Sequence, residues 1–139
     1  MKKTIFIIML SFFAMPVLAE NWHFLFKIRE QHPYYGLNDE YFVDLDSIRL
    51  IDKQNNIREA KVKYTSGFLS LKRSNRRYSI STDQYDCKNK TIKHLLSTNT
   101  YKDGSTDKFI DKRNRVEKFD SNTIWDYQWQ AVCSAPIKK

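Results

Sequence analysis

The chain has 139 residues, carries 24 Lys or Arg against 16 Asp or Glu for a formal net charge of +8, and is 14% aromatic. That length fits one domain, and only three Gly and three Pro exclude a collagen-like or low-complexity chain. A basic balance favours encounter with anionic partners without naming one.

Residues 1–19 open with Lys2 and Lys3, continue through an apolar run from Ile5 to Met15, and close on Val17, Leu18 and Ala19. A positive start, an apolar middle and small residues at the −3 and −1 positions predict a signal peptide of bacterial style, cleaved before Glu20. The apolar run is shorter than the roughly 20 residues that a membrane-spanning helix needs. No cysteine follows it directly, so no lipid anchor is expected. Losing Lys2 and Lys3 lowers the formal charge from +8 to +6. The expected product is a single domain over 20–139 in an oxidising compartment, either the periplasm or the outside of the cell. There Cys87 and Cys133, the two cysteines of the chain, can form a disulfide. With no C-x-x-C pair, that bond reads as structural.

In chain order, Trp22, Phe24, Phe26 and Ile28 fall at every second position and predict a strand over 22–29 with one buried face. Pro33 and Gly36 mark 31–38 as a loop. A short strand follows at 40–45, then a turn or single helical turn at 46–49 that Asp46 or Ser47 can cap. Polar 52–56 reads as a turn. Ala60, Val62 and Tyr64 alternate with Glu59, Lys61 and Lys63 in an amphipathic strand over 57–65. Residues 72–77 read as a basic hairpin loop, 78–85 as a strand leading to Cys87, and 91–101 as another strand. Asp103 and Gly104 signal a hairpin, and 108–119 can supply one more short strand. Asp120, Ser121 and Asn122 offer N-caps for a final helix from Thr123 onward. There Trp125, Trp129 and Val132 or Cys133 fall on one face. Such a helix would set Trp125 and Trp129 against a sheet and bring Cys133 to the surface that holds Cys87.

Few constellations suggest chemistry. His23, His32 and His94 are far apart, His23 on the polar side of its strand, and all three read as surface or loop histidines. The run from Asp103 to Asp107 lacks calcium-loop spacing and reads as a turn. Asp44 and Asp46 would share one face of a strand; Asp46 is expected to cap the following turn and Asp44 to meet a basic neighbour. Lys72, Arg73, Arg76 and Arg77, with Tyr78 beside them, form a basic patch able to take phosphate or sulfate through bidentate arginine contacts. Lys112, Arg113 and Arg115 form a second cluster. Trp125 and Trp129 read as core, Tyr127 as a freer interface anchor. No serine elbow, glycine-rich phosphate loop or zinc spacing is present. No catalytic residue, metal or cofactor is therefore expected.

Several segments taken together resemble a known family. They are an early Trp22 strand, Tyr41-Phe42-Val43-Asp44-Leu45-Asp46-Ser47-Ile48, Tyr85-Asp86-Cys87 at a strand end, Thr98-Asn99-Thr100-Tyr101, and a Trp-rich terminus closing on Cys133. In this order they are similar to the surface-adhesin protein E family of Gram-negative bacteria over essentially the whole of 20–139. The resemblance implies an α+β fold: a single antiparallel sheet, of about six strands by the reading above, with a C-terminal helix tied to one face by the disulfide. It also implies a non-enzymatic, adhesin-like binding protein. Its expected partners are host extracellular-matrix or plasma proteins, or an anionic envelope component; nucleic acid is not expected. The expected working surface is the sheet rim with the basic loop, and a free edge strand could pair two copies into a homodimer. Without a lipidated cysteine, the chain departs from the adhesin at the feature that would hold it on a surface. The alternative is a periplasmic inhibitor or immunity protein that blocks a lysozyme-like or toxin enzyme.

Overall fold

The computed structural model describes residues 20–28, 39–65 and 75–137. The expected leader, the 31–38 loop with His32, and Lys72 and Arg73 of the basic loop lie outside them. The strands are β1 (Trp22–Lys27), β2 (Glu40–Asp52), β3 (Ile57–Thr65), β4 (Arg76–Asp86), β5 (Thr91–Tyr101), β6 (Thr106–Ile110) and β7 (Val116–Lys118), and one helix follows, α1 (Ile124–Ser134). All pairings are antiparallel. The sheet has the order β1-β2-β3-β4-β5-β6, and β7 also pairs with β5, on the stretch that β6 leaves free. The single short strand expected over 108–119 is thus two pieces. The chain leaves the edge after Ile110 and returns at Val116.

β2 departs most from the sequence reading, because the expected break at 46–49 lies inside one strand of 13 residues. Its pairing with β3 jumps from Asp44 opposite Lys61 to Arg49 opposite Glu59, a wide bulge. Asp44, only 4% exposed, holds the bulge. Its Oδ1 accepts the backbone N–H of Asn21 and of Asp46, both at 3.1 Å. Ser47 donates its hydroxyl to the Asp44 carbonyl at 2.7 Å and accepts the N–H of Lys61 at 2.8 Å. Asp44, not Asp46, therefore caps this turn within the strand, and its oxygen is occupied by backbone amides rather than by a basic side chain. Asx and Ser side chains offer the backbone such local partners, which is why the alternation fades here.

The hairpins β2–β3 and β4–β5 use one device twice. Asp52 accepts from the N–H and side-chain amide of Asn55 at 3.0 and 2.7 Å, and Asp86 does the same with Asn89 at 2.8 and 2.8 Å. Each turn ends on a left-handed residue, Asn56 (φ 52°) or Lys90 (φ 54°). Hydrogen bonds from Asn55 hold the Asp52 carboxyl below its usual range. Burial pushes Asp86 up, but hydrogen bonds from Asn89 and Lys88 outweigh it and leave it lowered. At Gly104 (φ 84°) the β5–β6 turn takes the left-handed conformation expected there, and Asp103 accepts from the Ser105 N–H at 2.9 Å.

The helix cap is Thr123, one residue past the expected candidates. Its hydroxyl accepts the Asp126 N–H at 3.3 Å, while the Asp126 carboxylate accepts the Asn122 N–H at 2.9 Å. Val132 is fully buried and joins Val43, Ile48, Ala60, Val62, Tyr85 and Ile92 in the core, with Trp125 and Trp129 packed against that cluster. Arg58 on β3 donates to the carbonyls of Val132 (2.9 Å) and Ala135 (2.7 Å), so a guanidinium satisfies the orphan carbonyls at the helix end. The expected Cys87–Cys133 disulfide is formed, with Cα atoms 5.6 Å apart. It ties the β4–β5 turn to the last turn of α1.

Candidate functional site

Of the basic patch, Arg76, Arg77 and Tyr78 are described, and they do not share a face. β4 begins with a bulge between Arg76 and Tyr78, which leaves Arg77 exposed in the irregular step. Arg76 lies over the Tyr64 ring at 5.0 Å. That ring continues a ladder across the sheet: Tyr64 to Tyr41 at 5.2 Å, Tyr41 stacked on Phe26 at 4.7 Å, and Phe26 against Tyr127 of α1 at 5.0 Å. Tyr127, read as the freer aromatic of the helix, is 42% exposed and is the outer rung of this ladder. Tyr78 instead lies 5.2 Å from the ammonium of Lys63, which also sits 5.4 Å from Trp22 and 6.0 Å from Phe42. Neighbours in a strand point to opposite faces, so Tyr64 and Lys63 place Arg76 and Tyr78 on opposite sides of the sheet. The Lys63 cluster depends on the registers of β1, β2, β3 and β4 together, and no spacing along the chain announces it.

Lys112, Arg113 and Arg115 occupy the connection from β6 to β7, and Arg113 donates to Asp111 at 3.3 Å. They lie far from Arg76, the described member of the first patch at its strand end. Arg76 stands opposite Tyr101 and Val116 opposite Lys93, positions separated along β5 by roughly 26 Å at about 3.3 Å per residue.

His94 is 35% exposed at the surface of β5, but it is not solitary, which the sequence reading missed. β5 sets it opposite Asp83, beside a bulge in β5 itself at Leu95. Its Nδ1 lies 3.0 Å from Oδ1 of Asp83, a carboxylate only 1% exposed. Ser81 donates to the other Asp83 oxygen at 3.0 Å, and Nε2 of His94 is 4.0 Å from Glu117. Ser–Asp–His is not a nucleophile arrangement here: serine and histidine both address the carboxylate, and neither addresses the other. A serine is activated only when the histidine takes its proton. The Asp83 hydrogen bond raises the His94 pKa against an opposing push from burial, with further help from the charges of Asp83, Glu117 and Asp111.

This pair yields a signed pH dependence. A folded-state pKa above the ordinary value of about 6.5 gives stability that is full below that value and is lost as pH rises through the raised one. The carboxylates with lowered values act in the acid range and do not overlap. Melting temperatures should therefore fall between about pH 6 and about pH 8.5, and His94→Gln should flatten that slope. Parallel slopes in the two proteins would rule out His94 as the group responsible.

Among the described residues no group of His, Cys, Asp and Glu could hold a metal ion, and no helix is long and apolar enough to cross a membrane. Among the described residues, exposed large apolar side chains are Phe24 on β1, Leu50 and Ile51 on β2, Tyr127 on α1, and the most exposed group, Phe109, Ile110 and Val116 on β6 and β7.

With this geometry the chain has counterparts among solved structures. The fold is similar to that of Haemophilus influenzae protein E. One crystal form of that protein superposes with a TM-score of 0.49 at 14% identity, over 81% of this chain and 96% of that chain. A structure of protein E from non-typeable Haemophilus influenzae gives 0.45 at 15%, over 83% of this chain and 85% of that chain. No protein-family model and no curated protein sequence matches.

Proposed function

We propose that the protein is exported and acts by binding rather than by catalysis. In this reading residues 1–19 direct export and are removed before Glu20, and the disulfide suits the oxidising compartment beyond the inner membrane. The helix docks on one face of the sheet and leaves the rims to make contacts. One observation carries the reading: among the described residues Phe109 is 55% exposed and Ile110 and Val116 each 61%, gathered on the outer strands β6 and β7, and Phe24 on the opposite outer strand is 49% exposed. Apolar exposure gathered as on β6 and β7 marks interaction sites in soluble proteins, and an outer strand can add backbone donors and acceptors to the same rim. The role is adhesin-like, contact with host extracellular-matrix or plasma proteins or with an anionic envelope component, with Lys72 and Arg73, and Arg76 and Arg77 at the start of β4, adding charge attraction.

Surface protease applied to intact producing cells, followed by blotting for the chain, tests display. Loss of the band, together with binding of purified protein to immobilised matrix or plasma proteins that weakens in Phe24→Asp and Ile110→Asp, is the expected result. A band released only by osmotic shock would overturn the adhesin reading and favour an inhibitor of a periplasmic or toxin enzyme.

A further inference from the structure

On the helix side of the sheet, the floor beside the first turns of α1 is open. Two cavities of about 180 and 330 Å³ adjoin there and share Ser79, Ser81, Asp83 and His94. The larger one is at the low end of small-ligand sites, which run from about 300 to 1,000 Å³. Its floor is a row of hydroxyls. Ser79 and Ser97 face each other across β4 and β5 with their oxygens 3.0 Å apart; one donates to the other and leaves a proton and spare lone pairs for a ligand. Asp83 is occupied by Ser81 and His94, so it fixes the floor rather than meeting a ligand. It holds His94 with Nε2 turned away from it, and the 4.0 Å to Glu117 is too long for a hydrogen bond. The wall is mixed in sign: Asp111 and Glu117 stand beside Arg113 and Arg115, and Phe109 supplies an exposed ring.

This mixture selects among ligand classes. A compact anion would face Asp111 and Glu117 as well as the arginines, and a cation would face Arg113 and Arg115. An apolar ligand would strip water from hydroxyls and charges and return no hydrogen bonds. What suits alternating donors and acceptors is a ligand whose own polar atoms each donate and accept, with an apolar edge to lay against a ring. Sugar hydroxyls and the C–H face of a pyranose have that chemistry. We propose that this cleft binds an uncharged sugar ring of a glycan, with Ser79, Ser97 and Nε2 of His94 on its hydroxyls, Arg115 and Glu117 at its rim, and Phe109 against its C–H face. The site shares Phe109 with the rim reading but can be separated from it: Ile110 points to the other side of β6, and Phe24 lies on the opposite edge of the sheet.

The test is an NMR titration of the full oxidised chain with three uncharged disaccharides: lactose, for galactose-ended host glycans; N,N′-diacetylchitobiose, for the N-acetylglucosamine of bacterial wall glycans; and maltose. Saturable shifts of the Ser79, Ser81 and Ser97 amides and of the His94 imidazole with at least one sugar are expected, and which sugar acts separates the two sources. Ser97→Ala and Arg115→Ala should each weaken binding about fivefold, as for one lost hydrogen bond, with the melting temperature unchanged. Ile110→Asp should leave it intact. Absence of saturable shifts at the cleft with all three sugars would overturn the proposal. So would saturation of the same signals by acetate or phosphate alone, which would make this an anion site.

Discussion

Replacing both cysteines, Cys87→Ser with Cys133→Ser, should lower the free energy of unfolding by about 4 kcal/mol relative to the oxidised protein. The two residues are 46 apart in sequence, and closing a loop of that length in the unfolded chain removes the corresponding entropy. Against a total of roughly 5–15 kcal/mol, the loss would be a large share of the protein's stability. The native helix should nonetheless stay where it is. Arg58 still reaches the Val132 and Ala135 carbonyls, and the Trp129 indole still donates to the Asp86 carbonyl at 3.0 Å. The effect thus belongs mainly to the unfolded state, and that gives it a second signature. The uncrosslinked chain expands further on unfolding, so its urea dependence should steepen as its midpoint falls. Urea unfolding of the oxidised, reduced and double-serine proteins, followed by tryptophan fluorescence, reads both quantities. A difference below about 1 kcal/mol would mean that the bond contributes little beyond the contacts around it.

Where alternation along the chain is undisturbed, the strands were legible. Residues 57–65 and 91–101 are β3 and β5, and 78–85 falls inside β4, because one face of each strand meets the core at Val62, Tyr85 or Ile92. Legibility failed where side chains bond to nearby backbone. Asp44 and Ser47 stitch the β2 bulge, so the period breaks although the strand continues to Asp52. Thr123, rather than its three polar predecessors, caps the helix, a choice that depends on how the chain arrives from β7. The candidate site was less legible still. His94 acquires its meaning only from Asp83 across a bulged pair, and Lys63 only from rings on three other strands. Such pairings are set by register, and register is a property of the assembled sheet.

Lys90 is the clearest case of a residue with no signal in the sequence and a large expected effect. It ends the β4–β5 turn in the left-handed conformation, and its ammonium lies 2.9 Å from Oδ1 of Asp126, 3.2 Å from the Ser121 hydroxyl, and 5.6 and 5.7 Å from the Phe119 and Trp129 rings. One cation thus joins the start of the helix to the sheet. The Asp126 side chain is 4% exposed; its Oδ2 also accepts from the Asn122 N–H and the Gln130 amide, so Lys90 is what neutralises it. Lys90→Met keeps most of the side-chain bulk and strands the carboxylate. Breaking a fully buried pair costs about 3–5 kcal/mol, and because Lys90 is 35% exposed the expected loss is about 2–3 kcal/mol. Acid should reveal the cause. Lys90 first, then the Asn122 N–H, hold the Asp126 carboxyl below its usual range. Its contribution is therefore present above about pH 3.9 and lost as pH falls through the lowered value. The gap between wild type and Lys90→Met should accordingly be widest near neutrality and narrow toward about pH 3. Adding Asp126→Asn to Lys90→Met should recover part of the loss, since no charge is then left buried. A Lys90→Met protein within about 0.5 kcal/mol of wild type at pH 7, where ordinary surface substitutions fall, would show that water already screens this pair and that the core contacts, Arg58 and the disulfide anchor the helix without it.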